Sequence, residues 1–90
     1  MVQYQTNENY YKNLKELLQE FPDLQVEIEQ RIKWFSKNPN DTRLGNHDLH
    51  KKMVGQWSFW ITDDIRIIYK WLGKNKVRFL AIGGHTKVYR

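Results

Sequence analysis

The sequence predicts an α+β fold of two layers, an N-terminal helical hairpin packed on an antiparallel β-sheet of about four strands. Two observations carry this. Leu14, Leu17, Leu18 and Phe21, then Leu24, Ile28, Ile32 and Phe35, recur at helical spacing in the first half. The second half changes period: Trp57, Phe59 and Ile61, Ile65, Ile67, Tyr69 and Trp71, and Val77, Phe79 and Ala81 alternate with other residues, as strands with one buried face do.

The elements follow in order. Val2 to Gln5 reads as a short first strand, and Thr6 or Asn7 can cap the helix behind it. Pro22 lacks an amide hydrogen and crowds the preceding turn, so this helix ends near Glu20. Asp23 suits the N-cap of a second helix, which Asn38-Pro39-Asn40-Asp41 terminates. A weaker strand is expected over Leu49 to Val54, turning at Gly55-Gln56. Asp63-Asp64 reads as a tight turn, and Gly73-Lys74-Asn75 as a slightly longer one. Strand alternation puts Trp57, Phe59, Ile61, Ile65, Ile67, Tyr69 and Trp71 under the helices. Trp60, Arg66, Lys70 and Arg78 fall on the opposite face.

Ninety residues are expected to form one domain spanning 1–90. Without cysteine, neither disulfides nor thiolate zinc can hold it. The N-terminus lacks a signal-peptide pattern and no apolar run approaches a membrane span, so a cytoplasmic protein without membrane contact is expected. Charge is segregated. Residues 1–30 carry two lysines against six acids, whereas residues 31–90 carry thirteen Lys and Arg against four acids. A basic surface with aromatic side chains suits single-stranded nucleic acid, since phosphates need cations and bases stack on rings; an ordinary solvated sheet face gives the same pattern.

The three histidines, His47, His50 and His85, are candidates for proton transfer, although each alone reads as an ordinary surface residue. His85 follows Gly83-Gly84, where the backbone can turn sharply. A metal site on His47, Asp48 and His50 is not expected, because this spacing outside a helix does not stack the rings on one face. Asp63-Asp64 reads first as a turn former. Tyr89 could stack on a base, donate a proton or tie the tail to the sheet.

The stretches His47-x-Leu49, Gly55-x-Trp57-Ser58-Phe59-x-Ile61, Arg66-Ile67-Ile68-Tyr69 and Ile82-Gly83-x-His85-x-x-Val88-Tyr89, taken in this order, resemble the RelE/ParE toxin superfamily, and within it the RNA-cleaving toxins of the YafQ and YoeB type. The likeness covers residues 43–90; the helical hairpin matches in layout. The resemblance implies the toxin of a type II toxin–antitoxin pair, an endoribonuclease that cuts mRNA on the ribosome through attack of a ribose 2′-hydroxyl, with no metal or other cofactor. It implies a catalytic set of His47, Asp64, Arg66, His85 and Tyr89, in which Arg66 faces the scissile phosphate and His85 transfers a proton. Lys51, Lys52, Trp60, Lys70 and Arg78 are the expected RNA contacts. The implied partners are an antitoxin, forming a hetero-oligomer, together with mRNA and ribosomal RNA. Trp60 stands where YafQ-like toxins carry a histidine, Thr86 where YoeB-like toxins carry a tyrosine, and the YoeB glutamate base has no counterpart. The base is therefore His47 or Asp64. The alternatives are a gyrase-inhibiting toxin of the ParE branch and a non-catalytic RNA-binding relative.

Overall fold

The computed structural model describes residues 1–49 and 54–84. Its elements run β1 (Gln3–Thr6), α1 (Glu8–Glu20), α2 (Leu24–Lys37), a short 3₁₀ helix (Thr42–Leu44), β2 (His47–Asp48), β3 (Trp57–Trp60), β4 (Ile65–Gly73) and β5 (Lys76–Gly84). Among the described residues the strands form one five-stranded sheet in the order β1-β5-β4-β3-β2. The pairs from β2 to β5 are antiparallel, and β1 joins the edge parallel to β5. The expectation of about four antiparallel strands is thus extended by one parallel edge strand.

Local chemistry sets the helix boundaries. Asn7 is extended, and its side chain accepts from the Tyr10 amide at 2.7 Å, which opens α1. The Phe21 amide closes α1 on the Leu17 carbonyl at 2.8 Å, just before Pro22. Asp23 is the N-cap of α2, as expected, although its side chain makes no capping bond. A turn opens α2 instead, with the Leu24 amide on the Phe21 carbonyl at 3.1 Å.

Phe35 of α2 is the centre of the core. It stacks on Phe59 at 4.4 Å and meets Tyr69 and Phe79 edge-on at 4.9 and 6.0 Å. Phe59, Ile61, Ile67 and Tyr69 are fully buried under the helices, as their alternation predicts. Trp57 and Trp71 pack half-buried at the margin. Val2 and Ser36 exchange two hydrogen bonds, the Val2 amide to the Ser36 carbonyl at 2.8 Å and the Ser36 hydroxyl to the Val2 carbonyl at 2.6 Å, fixing β1 to α2.

Three expectations are corrected. Ile68 pairs with Ala81 but Tyr69 pairs with Phe79, so Leu80 is an extra residue in β5. This bulge reverses the phase of the strand: Ile82 enters the core and Ala81 stays half-exposed. The Asn9 side chain satisfies the displaced Leu80 carbonyl at 2.9 Å. Next, among the described residues the weak strand starts earlier than expected, at His47–Asp48; the Leu49 amide bonds the Gln56 carbonyl at 2.8 Å, and residues 50–53 of the expected strand lie outside the described residues. Finally, Asp63-Asp64 belongs to a wider loop at 61–64. There the Ile61 and Thr62 amides both reach the Ile65 carbonyl, and the Thr62 hydroxyl accepts from the Asp64 and Ile65 amides. Among the described residues no helix is long and apolar enough to cross a membrane.

Candidate functional site

The site begins at the turn that leaves the 3₁₀ helix. Gly45 has φ +54°, a left-handed conformation that glycine adopts without strain. A Cβ placed on it would lie 2.7 Å from three carbons of the Trp60 indole, so Trp60 packs flat against the bare Gly45 backbone. Two constraints therefore act on this one position. On the other side of the turn, the buried Tyr69 hydroxyl donates to the Asn46 side-chain oxygen. Burial pushes the Tyr69 hydroxyl pKa up, and the bond to Asn46 opposes that in part.

His47 follows, exposed at the start of β2. Its Nδ1 lies 2.8 Å from the Gly45 carbonyl oxygen. A carbonyl oxygen can only accept, so in the uncharged ring Nδ1 carries the hydrogen and Nε2 carries the lone pair.

Cross-strand register places His47 beside Ser58 and Ile68, and Trp60 beside Arg66 and Gly83. His47 and Arg66 thus share the face away from the helices, their Cα atoms roughly 12 Å apart by strand spacing and rise. The Arg66 guanidinium lies 5.7 Å from the Trp60 ring centroid, and its Nη2 donates to the Asp63 carbonyl at 3.4 Å. Lys70 and Arg78 sit opposite each other further along the same face. Residues 65–84 contain five Lys and Arg and no acid, and two like charges directly opposed cost stability, so this face attracts anions. It is not one open plain, however. The row between the two basic groups, Ser58 and Ile68, is fully buried.

Asp64 lies elsewhere. A Cβ on Gly84 would sit 3.0 Å from its Oδ2, and Asp64 lines a groove of about 550 Å³ with Glu16, Glu20, Leu17 and Ile82, on the helix side of the sheet. The structure does not bring it together with His47 and Arg66. His50, Lys51, Lys52, His85 and Tyr89 fall outside the described residues. Among the described residues there is no group of three His, Cys, Asp or Glu that could hold a metal ion.

Sequence reasoning missed the clamp that holds the 3₁₀ helix on α2. Two guanidinium groups lie over Trp34, Arg43 at 3.5 Å and Arg31 at 4.9 Å from its centroid. Arg31 also donates to the Arg43 carbonyl at 2.7 Å and to Glu27 at 2.9 Å. Asp41 binds the Arg43 guanidinium through both oxygens and accepts from the Arg43 amide. These bonds hold the Asp41 carboxyl down at about 2. A carboxyl lowered in the folded state stabilises above its ordinary value, near 3.9, and loses that contribution as pH falls toward the folded value. The melting temperatures of the wild type and Asp41→Asn should therefore differ at pH 6 and converge between about pH 4 and pH 2. A difference that persists unchanged at about pH 2 would refute this role.

The fold has solved counterparts. YafQ from E. coli strain BL21(DE3) matches with a TM-score of 0.82 at 17% identity, covering 100% of both chains. A YoeB/ParE toxin from Agrobacterium tumefaciens gives 0.77 at 16% identity over 93% of this chain and 99% of that one. A chain of the E. coli DinJ-YafQ complex gives 0.77 at 17% identity, with 100% of both chains covered. No family model matches the sequence, and no curated protein matches it. The chain has the α+β fold of the YafQ and YoeB/ParE toxins.

Proposed function

We infer that this chain is the toxin of a type II toxin–antitoxin pair and a metal-independent endoribonuclease that cuts mRNA on the ribosome. The observation that carries the reading is the placement of His47 and Arg66 on one basic sheet face, in a fold shared with YafQ. A histidine with an open Nε2 and a nearby guanidinium are two of the three groups that 2′-hydroxyl attack requires.

The ribose 2′-hydroxyl gives its proton to His47 Nε2, and its oxygen attacks the adjacent phosphorus. Arg66 stabilises the charge gathering on the phosphate oxygens. The bond from phosphorus to the 5′-oxygen breaks, and that oxygen takes a proton from His85, leaving a 2′,3′-cyclic phosphate and a 5′-hydroxyl. Of the two candidate bases His47 is preferred, because Asp64 lines a groove on the other side of the sheet. Tyr89 stacks on or donates to the reacting nucleotide, while Lys51, Lys52, Lys70 and Arg78 hold phosphates. The partner is an antitoxin that wraps the domain and covers the basic face, a reading supported by the DinJ-YafQ complex.

The test is cleavage of a translated messenger with and without ribosomes. Cleavage that requires ribosomes is expected. Binding should weaken steeply with salt, and removing Lys70 or Arg78 should flatten that slope by about one unit per contact. Growth arrest with DNA-damage signalling and no RNA cleavage would replace this reading with gyrase inhibition. RNA binding without cleavage or growth arrest would leave a non-catalytic relative.

A further inference from the structure

We propose that Trp60 is a positioning residue for His47, acting through Gly45 to fix the imidazole tautomer and so to make Nε2 the proton acceptor. The proposal rests on the nuclease reading for its chemistry and on geometry alone for its structural part. The chain of contacts is short. The indole lies against the Gly45 backbone, the Gly45 carbonyl accepts from His47 Nδ1 at 2.8 Å, and Tyr69 holds Asn46, the residue between them, from the core side. The turn is gripped from both faces of the sheet, so its carbonyl has one direction. A hydrogen bond at Nδ1 both selects the tautomer and orients the ring, as second-sphere partners of histidine do in other sites.

Trp60 is 40% exposed, which by itself would suit a platform for RNA bases. Its contacts argue for bracing instead. One side of the six-membered ring is occupied by Gly45, and the Arg66 guanidinium approaches the ring as well. Trp60 thus lies against the support of His47 and beside the Arg66 guanidinium.

The experiment has a spectroscopic and a kinetic arm. Long-range nitrogen–proton NMR on imidazole-labelled protein, with the ring uncharged, should show a protonated Nδ1 and a bare Nε2 in the wild type. Trp60→Ala should give a mixture of tautomers and a kcat about 10²-fold lower, with KM unchanged. Trp60→Phe, which keeps a ring on Gly45, should restore most of both. Gly45→Ala approaches from the other side: its Cβ must displace the indole and it strains a positive φ, so it should reproduce the alanine phenotype at position 60. Thermal melts identify any variant that fails to fold, and Trp60→Phe then decides. A wild-type proton on Nε2, or an unchanged tautomer in a folded Trp60→Ala, overturns the proposal. A raised KM at constant kcat also overturns it and makes Trp60 a base platform. If no RNA is cleaved, the nuclease reading fails on its own, while the NMR arm still decides whether Trp60 sets the ring.

Discussion

Replacing Arg66 with alanine should abolish growth arrest in cells expressing the chain, while leaving the thermal melt close to that of the wild type. Arg66 projects from the middle of the sheet, between Trp60 on one strand and a side-chain-free Gly83 on the other. Its guanidinium is directed to the face away from the core, so truncation should cost charge stabilisation rather than packing. Losing one positioned donor to a developing charge costs about 10²–10³-fold in rate. His85→Ala should be at least as severe, since a lost proton-transfer group costs about 10²–10⁴-fold. His50→Ala should matter less, because the resemblance selects His47. Toxicity should be scored beside cleavage of a translated messenger. Full toxicity in both the Arg66 and His85 variants would remove these residues from the reaction.

The largest stability effect is expected at Phe59. Truncation to alanine should cost about 3–5 kcal/mol, the range for a buried phenylalanine whose neighbours cannot close the void. Total stability of a small domain is only about 5–15 kcal/mol, so the variant should unfold at far lower urea. The stacked contact at 4.4 Å also makes Phe35 and Phe59 interdependent. Phe35→Ala combined with Phe59→Ala should therefore cost less than the sum of the two single changes. Additive costs, or a near-neutral Phe59→Ala, would contradict the packing of α2 on β3.

The reasons some features were legible in the sequence and others were not are physical. Alternation of Phe59 with Trp60, or of Ile67 with Arg66, is local, and it marks the inward face of a half-buried strand without knowledge of its neighbours. The bulge at Leu80 depends on how β5 meets β4 and on Asn9, seventy-one positions earlier, accepting the role of partner to a displaced carbonyl. No short-range pattern carries that. The parallel pairing of β1 was hidden for the same reason. Within the candidate site, Trp60, Arg66, Lys70 and Arg78 could be placed on one face from residue type and period, and the resemblance selected His47. Their arrangement could not, because it depends on Gly45 lying beneath an indole two strands' worth of sequence away. One signal was available: a tyrosine on the core side of a strand needs a partner for its hydroxyl, and the polar Asn46 beside a glycine turn was a candidate. The groove that Asp64 lines could not be read from the sequence, because adjacent acids in a loop carry no period to say which side of the sheet each will reach.

The pairing of β1 with β5 also governs when the molecule can exist. Gln3 meets Lys76 and Thr6 meets Phe79, and α1 is tied to β5 through Asn9 and Asn13. The last strand among the described residues, β5, is thus an interior strand, and β1 has no sheet partner until it is made. Contacts across so long a stretch of chain are entropically late, since the ordering of everything between them comes first. During synthesis the helical hairpin and the earlier strands can gather only loosely, and the finished sheet must wait for β5 to clear the ribosomal tunnel. Assembly of the sheet is therefore postponed until β5 has been made, and a copy interrupted before β5 should remain an unassembled fragment.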